Sequence, residues 1–165
     1  MFLIESVPCA LSCLGIAAYS KRHSMYGVRK IIYNTTLCAQ FDGVQCIKST
    51  DSGHTWRRAG SVRSNKVFAG NEVAMATLRN GSIMLNMRDA KESHHRWAAM
   101  SHDGGESFSL PWPTTVIGPV SNAAMLTLAS GEVVLANPHN HDHRANLSLS
   151  LFDQVSGEWS TVSQV

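Results

Sequence analysis

The sequence STDSGHTW at residues 49–56 recurs as SHDGGESF at residues 101–108, so both segments fit Ser-x-Asp-x-Gly-x-Thr/Ser-aromatic. This pattern predicts a self-contained turn. The Asp carboxylate accepts hydrogen bonds from the turn backbone, the Gly adopts a positive φ, and the aromatic ring packs back as a plug. Asp51, Asp103 and the Asp153 of a degenerate third copy lie 52 and 50 residues apart, which predicts a repeat architecture.

The repeats themselves predict short antiparallel strands. Apolar and polar residues alternate in two runs joined by turns at Asn80-Gly81 and Ser130-Gly131, a third run follows, and a fourth strand starts at the end of the box. Four such strands per repeat are typical of a propeller blade. The predicted strands are residues 73–78, 83–87, 96–101 and one from 107–108, then residues 123–128, 133–136, 144–151 and one from 158–159.

The motif is the Asp box, and by itself it indicates an architecture and no substrate. The sequence therefore predicts an all-β fold with about three four-stranded blades of a β-propeller. Three blades do not close a ring, so the chain is expected to be a fragment, an alternative product or a truncated gene model.

Composition narrows the classes of partner. The 165 residues are 44% hydrophobic and 16% charged, as in one ordinary globular domain, and the formal net charge of +2 includes no basic stripe. Nucleic acid is therefore not an expected partner. The four cysteines form no Cys-x-x-Cys pair, so no zinc site of that type is predicted.

The start of the chain precedes the repeats and is largely apolar. Residues 1–25 form an apolar segment of uncertain status, and residues 26–165 are predicted to form the partial propeller domain. Glu5 and Pro8 interrupt the segment, which argues against a membrane span. No Lys or Arg precedes the apolar core, which argues against a signal peptide; a buried strand or an artefact of where the chain begins is favoured, and a signal peptide stays open. Sequons at Asn34, Asn80 and Asn146 are compatible with a secretory route.

Three charged residues occur in one blade only. Glu72 opens the first strand of the middle repeat, Arg88 closes the second strand, and Arg144 opens the third strand of the last repeat. Strand ends of several blades converge at the central channel, so these side chains could form a cationic pocket for an anion, with the arginines binding a carboxylate. The alternative is that they form ordinary surface ion pairs.

The chain resembles the sialidases, most closely the animal lysosomal type. The resemblance runs from about residue 28 to residue 164. It rests on the segments Asp42–Cys46, Asn71-Glu72, Asn80–Arg88 and Asn137-Pro138, and above all on RANLSLS at residues 144–150.

The resemblance implies a six-bladed propeller that releases terminal sialic acid from glycoproteins, oligosaccharides and gangliosides. Arg88 and Arg144 match two of the three arginines that bind the substrate carboxylate, and Glu72 matches the glutamate that takes a proton from the nucleophilic tyrosine. That tyrosine, the acid/base aspartate and the first arginine have no match here, so the isolated chain is expected to be inactive. No cofactor is expected.

The resemblance also sets expectations about partners and location. The partners are sialylated glycans, with a protective or chaperone protein as a further candidate. The location is lysosomal or another secretory-pathway compartment, with membrane association or a cytoplasmic location left open.

Other interpretations remain beside this one. A non-catalytic Asp-box propeller that serves as a scaffold or binding module is the alternative function. His94, His95, His139, His141 and His143 could suggest a metal, although a solvated or pocket-rim role is favoured and no metal site is predicted. Trp97 and Trp112 could stack on sugars, but packing between blades is favoured for both.

Overall fold

The computed structural model describes residues 19–21, 24–31, 43–51 and 54–164. These residues contain no helix and form three antiparallel sheets, each with its four strands in chain order. This confirms the all-β prediction and the four-stranded blades. The first sheet is β1 (Tyr19–Lys21), β2 (Ser24–Ile31), β3 (Gly43–Ser49) and β4 (Arg57–Arg63); the middle sheet is β5 (Gly70–Thr77), β6 (Ile83–Asp89), β7 (His95–Ser101) and β8 (Trp112–Ile117); the last sheet is β9 (Ala124–Thr127), β10 (Val133–Pro138), β11 (Leu147–Phe152) and β12 (Trp159–Gln164).

The start of the chain lies mostly outside the described residues. The first sheet already includes Tyr19–Lys21, ahead of residue 26, and the domain boundary at that residue stays a prediction. The rest of the apolar segment, Asn34 and three of the four cysteines lie outside the described residues. In the part of the chain that is described, no helix is long and apolar enough to cross a membrane.

Two apolar cores join the sheets because the side chains of the middle sheet alternate between its two faces. One face packs Met75, Leu85 and Met87 against residues of the first sheet, including Val44 and Val62. The other face packs Ala76 and Met84 against Val133 and Phe152 of the last sheet. The strand β5 lies next to β9 as well as to β2 and β3, so the first strand of the middle sheet is central to the assembly.

The Asp boxes form the turns that the sequence predicts. Asp103 Oδ1 accepts hydrogen bonds from Ser107 N at 3.0 Å and from Ser101 Oγ at 2.8 Å, and Gly105 has φ of +84°. Asp51 accepts from Thr55 N at 2.8 Å in the same way. These hydrogen bonds lower the pKa of both carboxyl groups, with the bond from the Thr or Ser side chain as the largest cause.

The aromatic plug is described for the middle and last boxes. Phe108 packs on the core between the first and middle sheets, and Trp159 packs on the core between the middle and last sheets. Trp56 differs, because 40% of its surface is exposed. Phe108 and Trp159 thus act as plugs at places where a neighbouring sheet covers them.

The middle box also binds the first sheet directly. Gly60 N on β4 donates to Gly105 O at 2.7 Å, and Lys48 Nζ on β3 donates to Gly104 O at 3.0 Å. The Glu106 carboxylate accepts from Lys48 Nζ at 3.0 Å and from Arg57 Nη1 at 2.9 Å. The turn of the middle box thus closes its own hairpin and also forms a joint between the first and middle sheets.

This joint is expected to weaken in acid. The bonds from Arg57 and then Lys48 lower the pKa of Glu106 from 4.5 to about 2, so the ionised form is stabilised by folding. The contribution is complete above pH 4.5 and is lost as the pH falls towards 2. Because the pair is exposed and screened, we expect at most about 1 kcal/mol. Thermal unfolding of Glu106→Gln should depend less on pH in this window than the wild type, whereas Glu92→Gln, at an exposed glutamate, should match the wild type. Equal acid sensitivity of both variants and the wild type contradicts this prediction.

Two strand predictions are wrong at their starts. The fourth strand of the middle sheet begins at Trp112 and not at residues 107–108, because the box turn continues through Phe108. The third strand of the last sheet is Leu147–Phe152, so Arg144 does not open it. Asn140 Oδ1 accepts from the backbone of Asp142 and His143 at 2.9 Å, which holds these residues in a loop.

Cys46 is the one free cysteine within the described residues, and it is 5% exposed on β3. Burial raises the pKa of its thiol to about 12. We expect that at pH 8 a thiol reagent labels Cys46 only after unfolding, since the thiolate is the nucleophile. Mass spectrometry of peptides labelled with and without denaturant measures this, and equal labelling in both conditions would show that the β3 core is open.

Candidate functional site

Glu72 and Arg88 meet at one end of the middle sheet. Arg88 Nη1 on β6 donates to Glu72 Oε2 on β5 at 3.0 Å, and their side chains are 21% and 22% exposed. A bulge between Gly70 and Val73 adds one residue to β5 at this point, and bulges commonly re-aim side chains beside sites. The structure thus brings together two of the three charged side chains that the sequence predicts to converge.

Arg88 has a donor group that makes no hydrogen bond. Its Nε is buried without a hydrogen-bond partner, and its guanidinium makes its described bond through Nη1. The Nε–H and one Nη2–H of an arginine point in parallel, which matches the two oxygens of a carboxylate. Arg88 thus has donor capacity beyond its bond to Glu72 and a side chain that is 21% exposed, as a residue that binds a carboxylate requires.

Arg96 lies behind this pair and was not singled out from the sequence. It is 1% exposed on β7, donates from Nε to Asn86 Oδ1 at 2.8 Å, and donates from Nη1 to Ser121 O at 2.7 Å. Burial lowers its pKa to about 10, while the charge of Glu72 opposes that shift and the charge of Arg88 adds to it. Arg96 is thus a buried cation at neutral pH. The sequence signal for Arg96 is a charged residue at the start of the apolar run of residues 97–100.

Arg144 is not part of the pair. Its side chain is exposed in the loop between β10 and β11, and Nη2 donates to Val120 O at 3.2 Å. No described hydrogen bond or ion pair joins it to Glu72 or Arg88. The loop does contact the middle sheet, because His94 Nδ1 donates to His141 O at 2.9 Å and the two rings lie 5.7 Å apart.

The histidines do not assemble into a metal centre in the part of the chain that the structure describes. No three His, Cys, Asp or Glu side chains in residues 43–51 and 54–164 lie close enough to share an ion. His94 and Asp142 approach only to 3.9 Å. His94 and His141 instead make a contact between the middle sheet and the loop of the last sheet.

The two tryptophans take different places. Trp97 is 6% exposed, stacks on Phe68 with ring centroids 4.8 Å apart, and donates from Nε1 to Ser93 Oγ at 2.9 Å. Trp112 lines a cavity of about 130 Å³ between the middle and last sheets, together with Phe152 and Trp159. Trp97 is therefore a core residue, and Trp112 borders open space.

Comparison with known proteins adds the family. The model of the BNR repeat-like domain matches residues 21–165, which is most of the chain. The chain belongs to the BNR repeat-like domain family. Among solved structures, a Hadza microbial sialidase is similar with a TM-score of 0.71 and 21% identity, covering 90% of this chain and 30% of that one. The NanB sialidase from Streptococcus pneumoniae has a TM-score of 0.67 and 18% identity over 90% of this chain and 22% of its own.

This BNR repeat-like chain has a sialidase-like fold and spans less than a third of the length of these two sialidases. An exo-β-1,3-galactanase from Phanerochaete chrysosporium is also similar, with a TM-score of 0.65 and 12% identity over 94% of this chain and 39% of that one. Identities this low show a shared fold alone. The chemistry of the BNR repeat-like chain must therefore be argued from its own side chains.

Proposed function

We propose that the chain is part of an exo-α-sialidase that acts on terminal sialic acid of glycoproteins, oligosaccharides and gangliosides, most like the animal lysosomal type. The observation that carries the proposal is the Glu72–Arg88 pair, in which Arg88 bonds Glu72 through Nη1 at 3.0 Å, is 21% exposed and has a further N–H group without a hydrogen-bond partner. Sialic acid is a sugar with a carboxylate next to the reacting carbon, and the donors of a guanidinium suit it.

Glu72 has a role that its position supports. In the proposed mechanism a tyrosine hydroxyl attacks the anomeric carbon and Glu72 takes its proton, while Arg88 binds the substrate carboxylate. A neutral nucleophile avoids the repulsion that a carboxylate would meet beside the substrate's own carboxylate. Sialidases are an exception to the two-carboxylate scheme of most glycosidases. Glu72 is partly exposed at 22%, so a proton can reach it.

Arg144 requires a movement to join the same ligand. Its single described bond, to Val120 O at 3.2 Å, holds an exposed side chain. Exposed polar contacts of this kind contribute little free energy, so exchange for a charged ligand carboxylate is favourable. In this proposal Arg144 binds the carboxylate from the last sheet and Arg88 binds it from the middle sheet.

The proposed partners are sialylated glycans, with a protective or chaperone protein as a further candidate. The proposed compartment is lysosomal or elsewhere in the secretory pathway. The exposed side chains of Asn80 and Asn146 support that location, because both belong to sequons.

Binding without turnover is the expected behaviour of the 165-residue chain. The resemblance matches no residue of this sequence to the nucleophilic tyrosine, the acid/base aspartate or the first arginine. In calorimetry, a sialic acid analogue should bind and neutral lactose should not. Released-sialic-acid assays with sialyllactose should show no turnover by the wild type.

Two outcomes decide against this proposal in different ways. Turnover that disappears in Glu72→Gln would show that the chain supplies its own nucleophile. Equal calorimetric traces for the analogue and for lactose would favour the scaffold function, which the bond between Arg144 and the Val120 backbone also suits.

A further inference from the structure

A buried positive charge without a bonded carboxylate lies between the middle and last sheets. Arg96 is 1% exposed, and its two described side-chain bonds go to neutral oxygens, Asn86 Oδ1 and Ser121 O. Buried charges in proteins are normally paired, because an uncompensated charge in a low-dielectric interior is costly. The surroundings of Arg96 therefore require an explanation.

Unsatisfied donors surround the same point. Arg96 Nη2, Asn86 Nδ2 and Ser121 Oγ are all buried without a hydrogen-bond partner. Asn86 and Ser121 both bond Arg96, Asn86 through its side-chain oxygen and Ser121 through its backbone oxygen. Asn137 Oδ1 is also buried and unpartnered, but its Nδ2 is held by Ile117 O and Pro138 O at 2.9 and 2.7 Å. The Arg96 guanidinium and the Asn86 amide thus retain free N–H groups, and the Ser121 hydroxyl can add a third donor.

Glu72 does not neutralise Arg96. Its carboxylate bonds Arg88, and its effect on the Arg96 charge is opposed by the charge of Arg88. Two arginines and one glutamate leave one net positive charge in this group. Water could satisfy the free donors, but water leaves that net charge in place.

We propose that a small monovalent anion of about chloride size is bound between the middle and last sheets, in contact with Arg96 Nη2. Asn86 Nδ2 and Ser121 Oγ complete its donors. The ion supplies the missing negative charge and accepts from all three groups, which a single water cannot do because a water must also donate. Arg96 is inaccessible to a glycan, so this site is separate from the carboxylate site at Arg88 and does not rest on the proposed function.

Thermal unfolding of the intact chain is the first test. At constant ionic strength, sodium chloride should raise Tm relative to sodium gluconate, whose anion is too large for the site. Above its dissociation constant, each tenfold increase in chloride should add about 3–6 °C. Identical Tm values in the two salts would overturn the proposal.

An internal carboxylate should replace the ion. Asn86→Asp places a negative charge against Arg96 with almost no change of shape, so the Tm of this variant should no longer depend on chloride. Asn122→Asp, at an exposed residue beside Ser121, adds the same charge outside the site and should retain the dependence. A chloride effect that persists in Asn86→Asp places the ion elsewhere and overturns the proposal.

Crystallography with bromide tests the proposal on the wild-type chain, so it does not depend on whether Asn86→Asp folds. Wild-type crystals grown in sodium bromide should give an anomalous peak in contact with Arg96 Nη2, Asn86 Nδ2 and Ser121 Oγ. Density there without an anomalous signal would identify a water and overturn the assignment.

Discussion

Arg88→Ala is expected to weaken binding of a sialic acid analogue by about 10- to 150-fold, since a hydrogen bond to a charged group contributes about 1.5–3 kcal/mol. The guanidinium has a further N–H group without a partner beside its 3.0 Å bond to Glu72, and alanine removes the whole group. Arg88→Lys should lie between the two, because it keeps the charge and loses the fork. Calorimetry on the folded variants measures the effect.

The matched control for Arg88 is Arg58→Ala, at an exposed arginine on β4. It removes the same charge from the chain and should leave the affinity unchanged. Glu72→Gln should strengthen analogue binding about twofold to fivefold, because it removes the repulsion between the Glu72 carboxylate and the carboxylate of the analogue. Equal losses in Arg88→Ala and Arg58→Ala would mean that the analogue responds to net charge and not to a site.

Gly60→Ala is expected to destabilise the chain by about 3 kcal/mol, at the upper end of what overpacking costs. A Cβ on Gly60 would lie 2.8 Å from Phe108 Cδ2, 2.9 Å from Gly105 O and 3.0 Å from Glu106 O. The phenyl ring can rotate away, but the two carbonyl oxygens belong to the box turn. Relief of the clash therefore separates β4 from the box and breaks the 2.7 Å bond between Gly60 N and Gly105 O.

Gly157→Ala serves as a comparison because it introduces backbone strain without a steric clash. Gly157 has φ of +79°, and a Cβ added there would have no atom within 4 Å, so alanine meets only the left-handed conformation. That costs about 1–2 kcal/mol. Chemical denaturation should therefore place Gly60→Ala below Gly157→Ala in stability. The reverse order would show that the contact between the first sheet and the middle box is loose.

The sequence was sufficient for the parts of the fold that depend on local pattern. Alternation located β5, β6, β9 and β10 to within a few residues, because these strands are short, apolar on one or both faces and bounded by Gly-containing turns. It failed for β8, where the chain continues past the box through Pro111 before pairing resumes at Trp112. A turn pattern shows where a hairpin begins, but the start of the next strand depends on which neighbour it pairs with.

For the candidate site too, the sequence predicts some residues and misses others. Glu72 and Arg88 stand at the ends of two consecutive strands, so antiparallel pairing alone predicts that they meet. Arg144 was placed on a strand, but Asn140 and the φ of +58° at Asn146 hold the preceding residues in a loop. Arg96 could not be found, because its importance depends on the absence of a bonded carboxylate, which only the packed sheets reveal.

The middle box is expected to tolerate fewer substitutions than the box of the last repeat. Residues 101–108 close their own hairpin, and Gly105 O also accepts a hydrogen bond from Gly60 N of the first sheet. A substitution in this segment is therefore tolerated only if it preserves both the hairpin and this bond. In the last repeat, the side chain of Gln154 makes the described link to Arg79 N, at 2.9 Å, and a Cβ at the Gly157 tip would meet no atom within 4 Å. Its degenerate sequence fits that freedom, because a turn whose tip stands clear of its neighbours can lose its motif and still fold.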